Sequence, residues 1–195
     1  MTTEKKEVVS ISAPNFRTVS FEIEGTAPYV QHKFPEKARK KMMATQEAGH
    51  KSRKGAAREP RDFDKDYEAA MHVAEDGWHG IPASAFRNAM ISACRTVGFK
   101  MTHAKLAAFV EADGFDRDDR TPLIKITHGK PEKLESTAIN DNGSADIRVR
   151  PLWSPGWRAI VRVRFDADML SSTDVANLML RVGQQVGIGE GRPDS

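Results

Sequence analysis

Gly80-Ile81-Pro82-Ala83-Ser84-Ala85-Phe86-Arg87-Asn88-Ala89-Met90 is the stretch that decides how the rest of the chain is read. It begins as a short extended piece, is stopped by Pro82, and turns at once into a helix. Phe86, Ala89, Met90, Ala93, Cys94 and Val97 recur at the spacing of one buried helical stripe. Ser84, Arg87 and Asn88 occupy the other face of the first turns. A hydroxyl, a guanidinium and unpaired backbone N–H groups at a helix start form a natural seat for phosphate. The plainer alternative is that Ser84 caps the helix and Arg87 is solvated.

Outward from this helix, the order of elements is readable. Val19, Phe21 and Ile23 alternate with Ser20, Glu22 and Glu24, which predicts a half-buried strand over 18–24 ended by the turn 25–28. A helix is expected over 36–48, a basic loop without apolar anchors over 49–60, and a helix over 64–74. Further on, a short helix is expected over 102–110, an acidic turn over 113–120 and a strand over 122–127. Residues 133–140 are ambiguous. Strands over 145–150 and 158–165 flank the turn-rich 151–157 and predict a hairpin. Ser171 or Ser172 caps a last helix with the stripe Val175, Leu178, Met179, Val182 and Val186.

This β-α-β-β-α order predicts an α+β fold, a ferredoxin-like or RRM-like antiparallel sheet with helices on one face. Only a last strand is missing from that plan. Residues 1–17 read as an N-terminal arm and 18–195 as the domain, with a basic, helical insertion over 33–77. A chain of 195 residues suits one such domain with an insertion.

Charge is informative in its distribution. The chain as a whole carries only +3, but residues 33–61 hold ten Lys or Arg against three acids, whereas 62–76 hold six acids against Lys65 alone. The basic block, including Lys33, Arg39, Lys40, Lys41, Lys51, Arg53 and Lys54, is the portion suited to a polyanion. In the predicted hairpin, Arg148, Arg150, Arg158, Arg162 and Arg164 would share one sheet face. They are available to phosphate and bases, or neutralised across strands by Glu22 and Glu24. Gly187, Gly189 and Gly191, with Arg192 beside them, form a glycine loop directly after a helix. That order is the reverse of a dinucleotide-binding fingerprint.

For enzyme chemistry the inventory is thin. The six histidines have no metal-ligand spacing, and no nucleophile elbow or P-loop occurs. Asp62, Asp64 and Asp66 suit a solvated helix start better than a calcium loop, and the set Asp113, Asp116, Asp118 and Asp119 is the other acidic cluster. Trp153 and Trp157 suit packing beneath the turn better than a base clamp. Cys94, the single cysteine, falls on the apolar stripe and reads as a core residue. No catalytic residue, metal ligand or cofactor is therefore expected. Without a membrane span or signal peptide, the expected location is the cytoplasm.

The run Ile81-Pro82-Ala83-Ser84-Ala85-Phe86-Arg87-Asn88-Ala89-Met90, preceded by a strand and a long basic insertion, resembles the RAMP superfamily, the RRM-like backbone subunits of CRISPR effector complexes. The loop Gly187-Ile188-Gly189-Glu190-Gly191-Arg192 is similar to that family's glycine-rich loop after the second helix. The resemblance covers residues 18–195 in element order. It implies binding of single-stranded RNA, a guide RNA among the candidates, along the backbone by repeated copies of the chain alongside other effector subunits. Ser84, Arg87 and the glycine loop with Arg192 would meet phosphates, and the insertion would act as a thumb. Some family members cut RNA with a loop aspartate and a metal, but no matching aspartate is found here. The family's last strand is missing, so the expectation is either a truncated chain or another segment filling that edge. The chain is also short for such a subunit, which makes a compact, phage-type relative the alternative. The rival readings are an interaction protein that pairs through an open sheet edge, and a metal-dependent ribonuclease.

Overall fold

The computed structural model describes residues 11–34, 40, 42–44, 46, 61–139, 143 and 145–193. In chain order the elements are β1 (Phe16–Glu24), β2 (Tyr29–Val30), α1 (Phe63–Ala69), β3 (Gly80–Pro82) and α2 (Ala83–Ala93). A 3-10 turn (Cys94–Val97), α3 (Met101–Ala107), β4 (Ala108–Glu111), β5 (Gly114–Phe115) and β6 (Pro122–His128) follow. The chain continues through β7 (Pro131–Ile139), β8 (Ala145–Trp153), β9 (Arg158–Asp166), α4 (Ser172–Arg181) and a π turn (Val182–Val186). The architecture is α+β with antiparallel sheets. The expected helix over 36–48 and loop over 49–60 lie largely or wholly outside the described residues, as do Arg39, Lys41, Lys51, Arg53, Lys54 and most of the arm.

The larger sheet has the order β1-β9-β6-β3. β9 is antiparallel to both β1 and β6, so β1 and β6 run in the same direction. Where β6 parts from β9, β4 pairs β9 and β5 pairs β6, filling the wedge. The inward face of β9 is Ala159, Val161, Val163 and Phe165, all buried. α2 lies against this core through Phe86, Ala89, Met90, Ala93 and Cys94, whereas Val97 at the end of the predicted stripe is 46% exposed. Side chains such as Phe86 and Met90 each contribute roughly 1.5–3 kcal/mol by leaving water. Burial raises the Cys94 thiol pKa, and its Sγ bonds Met90 O at 3.3 Å, as suits a core cysteine. The predicted stripe of α4 and its π turn is buried throughout. Ser171 is the cap, in a capping box with Asp174.

The hairpin expectation is overturned. β8 and β9 do not pair. β8 belongs to a second, three-stranded sheet of order β2-β8-β7, and β7, Pro131–Ile139, resolves most of the ambiguous stretch 133–140 as a strand. The cause lies in the connecting turn. Trp153 and Trp157 both bury inward, with Tyr29 at 5.6 Å from each ring. Trp157 Nε1 donates to Ala27 O, and its ring fills the space above Gly25, where a Cβ would fall 1.9 Å from Nε1. Burying both rings turns the chain a corner into the other sheet, although Trp153 Nε1 has no hydrogen-bond partner among the described residues. Arg148 and Arg150 therefore do not share a face with Arg158, Arg162 and Arg164.

Two helices end sooner than their periodicity suggests. α1 stops at Ala69, since His72 N donates to Gln31 Oε1 and Val73 and Ala74 form β-bridges with His79 and Asp116. α3 stops at Ala107, beyond which Phe109 and Val110 are taken into the sheet by β9.

Candidate nucleic-acid interface

β3 runs directly into α2 with Pro82 as N-cap and no side-chain cap bond, so Ser84 does not cap this helix. The first N–H groups of α2 are left to whatever faces them. Ser84 and Asn88, one turn apart and both exposed, line one wall of an open cavity of about 450 Å3. The glycine loop also lines it, through Gly189, Glu190 and Arg192. Gln31, His32 and His72 complete the lining. Two segments about a hundred residues apart in sequence, Ser84/Asn88 and Gly189/Arg192, thus converge on one concavity.

The glycine loop is strapped in place. Gly187, Gly189 and Gly191 have φ of 73°, 88° and 75°, a left-handed region that other residues rarely adopt. At Gly189 a Cβ would lie 2.8 Å from Val30 O and 2.9 Å from the Tyr29 ring, so only glycine permits this approach. Glu190 N donates to Val30 O at 2.9 Å, and Arg150 Nε donates to the Glu190 carboxylate at 3.0 Å. Arg192 donates to Gly189 O at 3.3 Å and has no carboxylate partner among the described residues. At His32, partial desolvation and then the Arg150 charge push the imidazole pKa down, so this wall gains no extra cation at neutral pH.

Behind Gln31 and His72 the polar groups are internally satisfied. Lys33 is 4% exposed, and its ammonium donates to Asp116 at 2.6 Å and Asp118 at 2.7 Å. His72 Nδ1 donates to the other Asp116 oxygen at 2.8 Å, since a carboxylate can only accept. Burial alone would raise the Asp116 pKa. The hydrogen bonds from Lys33, the Asp118 N–H and His72 outweigh that and hold it at about 2. Gln31 donates to Gly80 O and Tyr29 Oη and accepts from His72 N, fixing the cavity wall to β3. His72, Asp116 and Asp119 bring possible metal-ligand atoms within 4.8 Å of one another, but the Lys33 ammonium already occupies Asp116.

The remaining expected contacts are distributed elsewhere. Arg87 does not line the cavity: its guanidinium bonds the carbonyls of Lys105 and Ala108 and lies over the Phe109 ring. The expectation that Arg87 and the glycine loop flank one track is corrected accordingly. At position 87 the helix points about 60–100° away from positions 84 and 88, and the carbonyls at the end of α3 capture the side chain. Lys33 is an internal cation rather than part of a basic surface. Arg150 is nearly buried and holds the loop, while Arg148 lies on β8 near Asp146. Lys40 is exposed. Gly187 and Gly191 line a neighbouring cavity of about 380 Å3, which shares Arg192.

On the outer sheet face, β1 lies beside β9 as expected, but the acids distribute differently. Glu24, not Glu22, reaches an arginine, Arg158, at 2.7 Å. Arg162 is held by Asp113 and approached by Glu111 at 3.9 Å. Asp62 caps α1, Asp64 pairs Lys133 and Asp66 pairs Arg61, in keeping with a helix start. Trp153 and Trp157 are core residues. Sequence reading missed Gln31, His32 and His72. The only signal was a polar dipeptide after Tyr29-Val30, too short to register as a strand.

No protein-family model matches the chain, and no curated protein is significantly similar to it. Among the described residues, no helix is long and apolar enough to cross a membrane.

Proposed function

We propose that this protein binds single-stranded nucleic acid, RNA in preference to DNA, through its phosphate backbone, as a ferredoxin-like, RAMP-type subunit that assembles in repeated copies along the strand. The observation that carries the reading is the convergence of Ser84 and Asn88 with Gly189 and Arg192 on one open cavity. These residues lie in the two short motifs on which the family resemblance rests. A helix start without a side-chain cap supplies N–H donors, Ser84 and Asn88 add a hydroxyl and an amide, and Arg192 adds a guanidinium with no carboxylate partner among the described residues. The glycine loop lets the backbone come close to a phosphate. The order β1-β9-β6, with β9 antiparallel between two strands of like direction, supports the split βαβ plan. The partners in this reading are RNA, further copies of the chain and other effector subunits, and the setting is the cytoplasm. No catalytic step is proposed.

The test is fluorescence anisotropy with labelled single-stranded RNA at several salt concentrations, followed by sedimentation on RNAs of increasing length. The expected results are affinity that falls steeply with salt and a protein-to-RNA ratio that rises with RNA length. A fixed one-to-one ratio on long RNA contradicts assembly along the strand.

A second reading draws on the ion pairs Glu24–Arg158 and Arg162–Asp113, which neutralise part of the outer sheet face. In that reading β1, which pairs only β9 among the described residues, accepts a strand from a neighbouring protein and no nucleic acid binds. Salt-insensitive self-association without RNA affinity is its signature.

A further inference from the structure

Four side chains at the junction of β1, β9, β4 and α2 alternate ring and cation: Phe16, Arg164, Phe109, Arg87. The Arg164 guanidinium carbon lies 5.3 Å from the Phe16 ring centre and 5.6 Å from that of Phe109, and the Arg87 guanidinium lies 5.5 Å from Phe109. The two rings meet edge to face at 5.9 Å. Two guanidinium groups thus share one aromatic ring. Neither has a carboxylate partner among the described residues.

The neighbouring acids are engaged elsewhere. Glu111 accepts from Thr18 and lies toward Arg162, Asp166 accepts the Asp168 N–H, and Asp168 accepts from Asn15. This sets the ladder apart from Arg158 and Arg162, which the same face neutralises. Two like charges around one ring repel, and a ring face offsets only part of that repulsion. A bound anion removes it. Phe16, at the end of the ladder, is 41% exposed. Arg87 is held by the Lys105 and Ala108 carbonyls, so its charge is fixed in place before any ligand arrives.

We propose that this ladder is a nucleotide seat: a base stacks on Phe16, and the adjoining phosphate is bound by Arg164 and Arg87. Aromatic rings and guanidinium planes both stack on bases, whereas an acidic peptide would use the cations and leave the ring idle. The inference rests on the proposed nucleic-acid binding for its ligand, but on residues separate from the cavity.

The experiment compares a normal single-stranded RNA with one carrying a single abasic position, by anisotropy, for the unaltered protein, Phe16→Leu, Arg164→Met and the cavity double variant Ser84→Ala/Arg192→Ala. Phe16→Leu keeps an apolar side chain at the strand end and removes only the ring; circular dichroism checks each fold. The unaltered protein is expected to bind the normal RNA roughly tenfold more tightly than the abasic one. Phe16→Leu should abolish that ratio, Arg164→Met should weaken binding to both RNAs, and the cavity variant should weaken both while keeping the ratio. An unchanged ratio in Phe16→Leu overturns the seat and leaves the cavity reading standing. Loss in the ladder variants with none in the cavity variant overturns the cavity reading instead. Equal binding of poly-glutamate, or no RNA binding by the unaltered protein, overturns the seat.

Discussion

Two polar regions stand back to back against Gln31 and His72, and they are built on opposite principles. On one side Lys33, Asp116, Asp118 and His72 are packed so that the Asp116 oxygens, the Lys33 ammonium and the His72 Nδ1–H all have partners. On the other side Ser84, Asn88 and Arg192 border open space with donors that no carboxylate among the described residues claims. The contrast separates a charge cluster that holds the fold from the one to which the proposed function assigns the ligand. Acidic residues alone would have drawn attention to the first. Which groups are already paired is what points to the second.

The largest expected effect comes from the closed side. Asp116→Ala leaves the Lys33 ammonium buried without its main partner and should cost about 3–5 kcal/mol in denaturant unfolding. Combining it with Lys33→Met should recover much of that loss, because an apolar replacement of a buried pair is often neutral. A double variant no better than the single one would show that the cluster has a further role. The same carboxylate sets an acid limit. Its folded pKa of about 2 lies below its ordinary 3.8, so its contribution is present above about pH 4 and lost as pH falls toward 2. That contribution is on the order of 2 kcal/mol. Urea midpoints measured between pH 5 and pH 2.5 should fall faster for the unaltered protein than for the Asp116→Ala/Lys33→Met pair.

On the open side the effects move from stability to binding. Gly189→Ala forces a Cβ against Val30 O at a positive φ and should cost roughly 1–2 kcal/mol, with RNA affinity falling as the loop lifts. Arg192→Ala should leave unfolding nearly unchanged, weaken RNA binding roughly tenfold and lower the salt slope by about one. A stability loss without a binding loss at Arg192 would erase the distinction between the two sides. The smallest effect belongs to the exposed pair on the sheet: Glu24→Gln should change stability by about 0–1 kcal/mol.

Much of this was legible from local pattern. The helix from Ala83, its buried stripe and the capped helix from Ser171 follow from periodicity and turn chemistry, and the pairing of the first strand with the one at Arg158–Asp166 follows from the β-α-β-β-α order. The glycine loop and Ser84 could be singled out because few residue types allow what they do. What escaped was set by distant partners. Strand pattern shows that 145–150 is extended but not that the strand runs on to Trp153 or which edge it joins, and that was decided by where Trp153 and Trp157 could bury. Arg87 and Lys33 look alike as surface cations in sequence. One is captured by carbonyls 18 and 21 residues away, the other by a carboxylate 83 residues away.

The most direct measurement is photocrosslinking of 4-thiouridine-substituted single-stranded RNA to the protein, with the attached peptides identified by mass spectrometry. Crosslinks within 82–92 and 187–193, lost on competition by unlabelled RNA, are the predicted result. Specific crosslinks confined to other segments, with both of these peptides unmodified, would contradict the account.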